Sequence, residues 1–385
     1  MKRLLVRVAG RIVIVLLALL SISVTRAQVP TLTILHSFKN TPDGAAPEAG
    51  LFRDKQGNLY GMTCCDGANG WGTVFKLDTA GTETVLVNFG ADTVAAAPEA
   101  ELTMDKAGNL YGTTMFFGGE AGFGAVFKVD AAGKFVLLHQ FTGQPDGASP
   151  SSRLLIDNKG NLYGTTVQGG SADRGTVFKV DAFGNLTVLH SFAGPDGQWP
   201  MRSDLIMDNH GNLYGTTWGG GTSNQGTVFE LDKSGMLTVL HSFTGSDGAS
   251  PMGGVVMDKH GNLYGTTSQG GPSAAGLVFK LDTAGDETVL HTFSGSPDGA
   301  YPMGTLAIDN KSNLYGTTLN GGSSGGGTVF AVDTSGNETL LHTFTGMPDG
   351  FSPFGGLIVD KRGTLYGTTQ HGGDHDFGTV FRLVP

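Results

Sequence analysis

The phrase Leu-Tyr-Gly-Thr-Thr recurs along nearly the whole chain, and its regular spacing limits the possible folds more than any other feature. Successive copies lie 50 to 52 residues apart, which is the length of one supersecondary unit in a tandem-repeat protein. We therefore expect seven related units in one array rather than two or three unrelated domains. The tyrosines of the phrase are Tyr60, Tyr111, Tyr163, Tyr214, Tyr264, Tyr315 and Tyr366.

Each copy contains four short strand patterns, which in the sixth copy cover residues 304–308, 313–318, 327–332 and 338–344. They are rich in β-branched and aromatic residues and are bounded by Gly, Asp, Asn and Pro, as expected for hairpins. An aspartate opens the turn after the first strand of every copy, and a glycine usually follows three residues later. We interpret these aspartates as turn formers rather than metal ligands. They are Asp54, Asp105, Asp157, Asp208, Asp258, Asp309 and Asp360.

The two ends of the array predict how it closes. Residues 32–38 match a fourth strand with no first three strands before it, and residues 378–383 match a third strand with no fourth strand after it. Pairing of the N-terminal strand with the C-terminal blade would leave no sheet edge open between them. We therefore predict an all-β fold, a closed seven-bladed β-propeller of four-stranded antiparallel blades.

Four phrases recur in order from residue 32 to residue 385: Leu-Tyr-Gly-Thr-Thr, Gly-Gly, Gly-Thr-Val-Phe-Lys-Leu-Asp and Leu-His-Ser-Phe. In these the chain resembles the GloVer tandem-repeat family of secreted bacterial proteins. The resemblance implies export and a propeller-like array, and it carries no established activity. The motif Asp-x-x-Gly-Asn-Leu-Tyr gives the chain a weaker resemblance to propellers of the NHL and streptogramin-lyase type. This motif reflects blade geometry, so no catalytic residue is carried over from those proteins.

The N-terminus and the overall charge predict an exported protein. Residues 1–27 combine basic residues, a short apolar run and a small-residue cleavage site, which is typical of a signal peptide. The propeller domain would then cover residues 28–385, with no membrane span, as a periplasmic or extracellular monomer. A net charge of −10 argues against nucleic acid as a partner. For the adjacent Cys64 and Cys65 we expect two small loop side chains rather than a strained vicinal disulfide.

Residues that occur in nearly every copy are interpreted as scaffold. Six copies share a histidine, and Val87 replaces it in the seventh, so packing rather than catalysis or metal binding should explain that position. An Asp-Gly-x-x-Pro connection follows the fourth strand in six copies. It is either a self-bonded turn or an acidic ring that could bind calcium or sugar hydroxyls. No cofactor and no metal site is otherwise expected.

Asymmetry between copies marks the candidate site. Just after the conserved proline, where side chains should line the rim of the central channel, the last three copies carry Met252, Met303 and Phe354. A rim that is polar on one side and apolar on the other suits an oriented small ligand. The alternative is that the charged residues only pair across the channel. The polar residues, in the first four copies, are Glu48, Glu99, Glu101, Arg153, Arg202 and Asp204.

The loop between the second and third strands is also uneven. It carries Trp71 and Trp218 in two copies, phenylalanines at 116, 117 and 123 in another, and a His/Asp-rich segment at 371–376 in the last. Exposed aromatic rings on one face could stack on sugars. The His/Asp segment has metal-ligand residue types, although such loops are commonly just solvated.

Three hypotheses for function follow. The first is a secreted binding module for a glycan or an extracellular peptide. The second is a hydrolase or lyase that uses carboxylates such as Glu48, Glu99 and Glu101 at the channel mouth, since paired carboxylates can act as general acid and base. The third is a structural envelope protein. The sequence contains no metalloprotease helix, nucleophile elbow or phosphate-binding loop.

Overall fold

The computed structural model describes residues 29–91, 93, 95–116 and 122–385, and all regular elements in this part of the chain are β-strands. They form seven antiparallel sheets in chain order, which confirms the predicted seven-bladed β-propeller. We number the blades from the N-terminus and the strands of each blade from the channel outwards. The predicted signal peptide, residues 1–27, lies outside the described residues.

The short first strands lie next to the channel at Phe52–Arg53, Thr103–Met104, Leu155–Ile156, Ile206–Met207, Val256–Met257, Ala307–Ile308 and Ile358–Val359. The second strands, which carry the recurring phrase, are Leu59–Thr63, Leu110–Thr114, Leu162–Gln168, Leu213–Thr217, Leu263–Thr267, Leu314–Thr318 and Leu365–Thr369. In blade 3 the extra strand Ala148–Pro150 pairs with the end of Leu162–Gln168.

The third strands are Thr73–Leu77, Ala125–Val129, Thr176–Val180, Thr227–Leu231, Leu277–Leu281, Thr328–Val332 and Thr379–Val384. The outer, fourth strands of blades 1 to 6 are Glu83–Asn88, Phe135–Gln140, Leu186–Ser191, Leu237–Ser242, Glu287–Thr292 and Glu338–Thr343. Thr31–Ser37 is the fourth strand of blade 7 and pairs antiparallel with Thr379–Val384, from Thr31 opposite Val384 to Ser37 opposite Thr379. The predicted closure is thereby confirmed.

Pairs of phenylalanines hold neighbouring blades together. The phenylalanine that follows each fourth strand packs edge-on against a phenylalanine in the third strand of the next blade, with ring centroids 5.0–5.4 Å apart. All fourteen rings are at most 1% exposed. Burying one such side chain contributes roughly 1.5–3 kcal/mol, so these pairs are a main source of stability. The pairs are Phe38–Phe75, Phe89–Phe127, Phe141–Phe178, Phe192–Phe229, Phe243–Phe279, Phe293–Phe330 and Phe344–Phe381.

The recurring phrase is explained by what its residues contact. In blade 4 the glycine, Gly215, lies under Phe229, and a Cβ there would approach the Phe229 ring to 2.8 Å, so only glycine fits. The hydroxyl of Tyr214 donates a hydrogen bond to Asp208 in the first turn at 3.2 Å. The hydroxyls of Thr217 and the third-strand threonine lie 2.8 Å apart. Each of these residues packs or forms hydrogen bonds within its own blade. The phrase therefore indicates the fold and no activity.

The prediction for the two cysteines was wrong. Cys64 and Cys65 form a vicinal disulfide in the loop after the second strand of blade 1. The bond links neighbouring residues only, so it closes no loop that could hold distant parts of the fold together. Separately, the described residues include no helix that is long and apolar enough to cross a membrane.

Candidate functional site

Two sets of loops meet on one face of the propeller. The connection that enters a blade forms single β-bridges with the loop between that blade's second and third strands, for example Gln198 with Gly219 and Phe351 with His371. The same connections lead directly into the channel rim. The loop aromatics and the rim residues therefore belong to the same face.

Blade 4 departs from the other blades by one residue. Fourteen residues separate Pro200 from Tyr214, whereas the equivalent interval is thirteen in the other six blades. The inserted residue lies next to Arg202, whose φ of +50° is in the left-handed region that non-glycine residues rarely adopt. Arg202 lies in a turn ahead of the first strand of blade 4, and an extra residue in that turn changes the direction of the side chain. Here it carries Arg202 across the channel.

The guanidinium of Arg202 joins blade 4 to three other blades. It donates hydrogen bonds to the carboxylates of Glu48 at 2.8 Å and Glu99 at 3.0 Å. It also donates to the main-chain carbonyl oxygens of both glutamates, at 3.2 and 2.9 Å. Its flat face lies 4.3 Å from the ring centroid of Phe354. The polar and apolar sides of the predicted rim thus meet at one cation.

A second polar group lies beside the first. Arg153 forms an ion pair with Glu101 at 3.6 Å. Asp204 accepts hydrogen bonds from the backbone N–H of Arg153 at 2.8 Å and from the hydroxyl of Thr305 at 2.9 Å. Burial raises the pKa of Glu101 to about 7, with Asp204 adding to the shift and Arg153 opposing it. Burial also raises the pKa of Glu99, an effect that Arg202 opposes and Glu48 reinforces.

The six predicted rim residues therefore come together, and they leave little space. Five of them line a cavity of about 30 Å³: Glu48, Glu99, Glu101, Arg202 and Asp204. A cavity of that size holds about one or two water molecules and no sugar ring. Because the carboxylates and guanidinium groups already pair with one another, the geometry agrees with pairing across the channel.

The two predicted loop tryptophans have different surroundings. Trp71 packs against the hydrophobic cluster between blades 1 and 2. Trp218 instead lies beside Trp199, with ring centroids 5.8 Å apart and the planes tilted by 45°. Both rings of this pair are partly exposed. Sequence reasoning missed Trp199, although its position is visible as the residue before the conserved proline.

In blade 7 the position equivalent to Trp218 reaches the channel rim. Gln370 of blade 7 occupies the position that Trp218 holds in blade 4, and its side chain donates a hydrogen bond to Glu48 at 2.7 Å. Beside the pair, the side-chain amide of Gln198 accepts a hydrogen bond from Arg174 and donates one to Asn224. Trp199 itself has a φ of +54°, a backbone conformation that is unusual for a bulky residue.

The six repeated histidines all have the same partner. Each Nε2 lies 2.7–3.2 Å from a carboxylate of the following Asp-Gly connection. The aspartates also accept hydrogen bonds from backbone N–H groups in the turn, as Asp43 does from Lys39 at 3.1 Å. The self-bonded turn is therefore what the geometry shows. In the segment 371–376, Asp376 accepts a hydrogen bond from the N–H of Gly372 at 2.9 Å.

Two of these histidine–aspartate pairs are joined by a glutamate from the next blade. His241 and Asp247 lie beside Glu287, and His291 and Asp298 lie beside Glu338. In each cluster one nitrogen or oxygen atom of every residue lies within 4.8 Å of the others, which is close enough for a shared metal ion. These clusters lie at the fourth strands, away from the channel rim. They could not be recognised in the sequence, because each glutamate faces a histidine and an aspartate that lie 40 to 47 residues earlier in the chain.

Comparison with known proteins establishes the family. The family model of the Gloeobacter/Verrucomicrobia repeat matches three overlapping segments, residues 22–205, 98–259 and 203–385. The chain therefore belongs to this repeat family, as the four recurring phrases predicted. No curated protein matches it.

Solved structures are similar to this chain at low identity. One is the extracellular domain of a proposed one-component system from B. thetaiotaomicron, with a TM-score of 0.56 and 11% identity. The match covers 90% of this chain, which spans only 40% of that protein. A gluconolactonase from Xanthomonas campestris matches with a TM-score of 0.47 and 16% identity, over 92% of this chain and 89% of that one. A luciferin-regenerating enzyme matches at 0.46 and 15%, over 74% and 90%.

Proposed function

We propose that this protein is an exported carbohydrate-binding propeller whose ligand lies on the loop-bearing face at blade 4. The observation that carries the proposal is the Trp199–Trp218 pair, two partly exposed rings that lie side by side on this face. Adjacent exposed apolar side chains on a protein surface can mark a ligand-binding site. The signal-like segment 1–27 supports export.

The surroundings of the pair suit a sugar better than an apolar ligand. Tryptophan offers a wide flat surface for the C–H face of a sugar ring, and it has few rotatable bonds to immobilise. The amide and guanidinium groups of Gln198, Asn224 and Arg174 lie next to it and are fixed by their mutual hydrogen bonds. Planar polar groups at the edge of an aromatic surface can exchange hydrogen bonds with hydroxyls.

The geometry also argues against the channel as the main ligand site. Arg202 already donates four hydrogen bonds there, and the space left is about 30 Å³. A hydrolase remains the second candidate because Glu101, with a pKa of about 7, could exchange a proton near neutral pH. Glu101 is already paired with Arg153, so a substrate would have to compete with that ion pair.

The test is a glycan and polysaccharide array, with and without calcium, followed by titration of any ligand found. Trp199→Ser and Trp218→Ser introduce the residue that other blades carry at these positions, Ser250 and Ser268 in blade 5, so the fold should be kept. We expect each change to weaken binding about tenfold, as for the loss of about 1.4 kcal/mol of aromatic contact.

Tyr301→Ser is the matched control. Tyr301 occupies the position of Trp199 in blade 6 and is 37% exposed, but it has no tryptophan beside it. Its replacement should leave binding unchanged. Saturable binding that survives both tryptophan changes would contradict the proposed site. Binding of peptides but not glycans would contradict the ligand class, and turnover abolished by Glu101→Gln would favour the hydrolase.

A further inference from the structure

The His–Asp–Glu clusters at the outer edges of two blade interfaces play no part in the proposed carbohydrate site. One contains His241 and Asp247 from blade 4 with Glu287 from blade 5, and the other contains His291 and Asp298 from blade 5 with Glu338 from blade 6. In both, the histidine lies in one fourth strand, the aspartate follows that strand, and the glutamate is the first residue of the fourth strand in the next blade. We propose that the two clusters are binding sites for a divalent transition metal of the Zn²⁺ type.

The first argument is that each glutamate has a carboxylate oxygen without a hydrogen-bond partner. Oε1 of Glu287 and Oε1 of Glu338 are shielded from solvent and have no hydrogen-bond partner among the described residues. A buried carboxylate oxygen without a donor costs free energy that native proteins normally avoid. In both clusters the unpaired oxygen belongs to the residue that faces a histidine and an aspartate. A cation among the three side chains would satisfy it.

The second argument comes from the other blades. The position of Glu287 is Leu186 in blade 3, Leu237 in blade 4 and Phe135 in blade 2, so an apolar residue meets the packing requirement there. The histidine–aspartate pair is formed without a glutamate at the interface of blades 3 and 4, where His190 bonds Asp196 at 2.7 Å. The blade architecture therefore does not require the glutamate. Its presence beside two pairs needs a different explanation.

The donor atoms indicate which metal. One imidazole nitrogen and two carboxylate oxygens suit Zn²⁺ and related ions, whereas Ca²⁺ and Mg²⁺ prefer six or more oxygen ligands. Zinc–ligand distances of about 2.0–2.2 Å place neighbouring ligands somewhat more than 3 Å apart. The histidine and aspartate donors are already 3.2 Å apart in both clusters. Only the glutamate, within 4.8 Å, has to move closer.

A third glutamate provides a contrast within the molecule. Glu83 of blade 1 faces His36 and Asp43 of blade 7, and its Oε1 is likewise buried without a partner. Among the described residues, however, only the clusters with Glu287 and Glu338 bring donor atoms from all three side chains within 4.8 Å. We therefore expect two metal ions per chain rather than three.

The experiment is calorimetric titration of the full chain with ZnCl₂ after EDTA treatment and dialysis, with CaCl₂ in a parallel titration. The variants are Glu287→Leu, Glu338→Leu and the double variant, which introduce the leucine already present in blades 3 and 4. Compared with wild type, we expect each single variant to bind one fewer Zn²⁺ and the double variant two fewer. Zn²⁺ should also raise the melting temperature of the wild type and not that of the double variant.

His190→Val is the matched control, because it removes a histidine from a pair without a glutamate and introduces the residue found at Val87. Its zinc stoichiometry should equal that of wild type. The decisive measurement is the difference of two zinc ions between wild type and double variant. This difference remains interpretable even if surface histidines such as His371 bind zinc as well. Equal stoichiometry in wild type and double variant, or no Zn²⁺ binding by the wild type, would overturn the proposal.

Discussion

The blade interfaces and the central channel are built on opposite principles. At the interfaces the same contact is repeated seven times, with phenylalanine ring centroids always 5.0–5.4 Å apart. At the channel the contacts occur once, and they depend on one inserted residue in blade 4 that carries Arg202 to Glu48 and Glu99. Repetition therefore identifies the scaffold, and departures from it identify the positions where function can differ between otherwise equal blades.

The largest effect on the repeated scaffold is expected from removal of the N-terminal strand that closes the ring. Deletion of residues 31–38 removes the pairing with Thr379–Val384 and the Phe38–Phe75 contact. We expect loss of a stable monomer, because the exposed edge of blade 7 can pair with another chain. Size-exclusion chromatography and thermal melting would show this. Deletion of residues 29–30 is the control, and a folded monomer with the wild-type melting temperature would refute the role of closure.

Loss of one interface ring should have the next largest effect. Phe229→Ala leaves a cavity where a fully buried ring packs against Phe192, and we expect a loss of about 3–5 kcal/mol in the free energy of unfolding. Urea denaturation measures it. The control is Phe183→Ala, since Phe183 is 91% exposed and its loss should change stability by less than about 0.5 kcal/mol. Similar effects of the two changes would contradict the assigned role of the interface pairs.

The unique channel contacts should matter less to stability. Arg202→Met leaves Glu48 and Glu99 without their cation, and we expect a cost of about 2 kcal/mol in urea denaturation because these side chains keep some contact with solvent. Adding Glu48→Gln and Glu99→Gln should restore most of the loss, since the repulsion between carboxylates is then removed. If the triple variant were less stable than Arg202→Met, unpaired charge would not be the cause.

The smallest predicted effect concerns pH. The pKa of Glu101 is about 7 in the folded chain against an ordinary value of 4.5, so its neutral form is favoured by folding. This contribution is complete below about pH 4.5 and is lost as the pH rises from there through 7. Glu101→Gln remains neutral, so its unfolding free energy should not show that decrease. Parallel pH profiles for wild type and variant would contradict the assignment.

Several features of the candidate site were predictable and several were not. The six polar residues were expected at the channel rim, because the spacing places them after the same proline in successive blades, and pairing across the channel was one of the two interpretations. The extra residue beside Arg202 was visible in the sequence between Pro200 and Tyr214. The Trp199–Trp218 pair was not predicted, since it joins the connection that enters blade 4 to a loop within that blade. Whether these residues bind a ligand is a prediction still to be tested.

The sequence by itself determined the number of blades, the strands in each blade and the closure of the ring. These follow from local patterns, because each strand and turn depends on residues within a few positions of one another. Only the tertiary structure decided which charges pair across the channel, which tryptophan stands beside another, and which glutamates face a histidine of the preceding blade. Those contacts join residues from about 20 to more than 150 positions apart, and their geometry exists only after the blades have packed against each other.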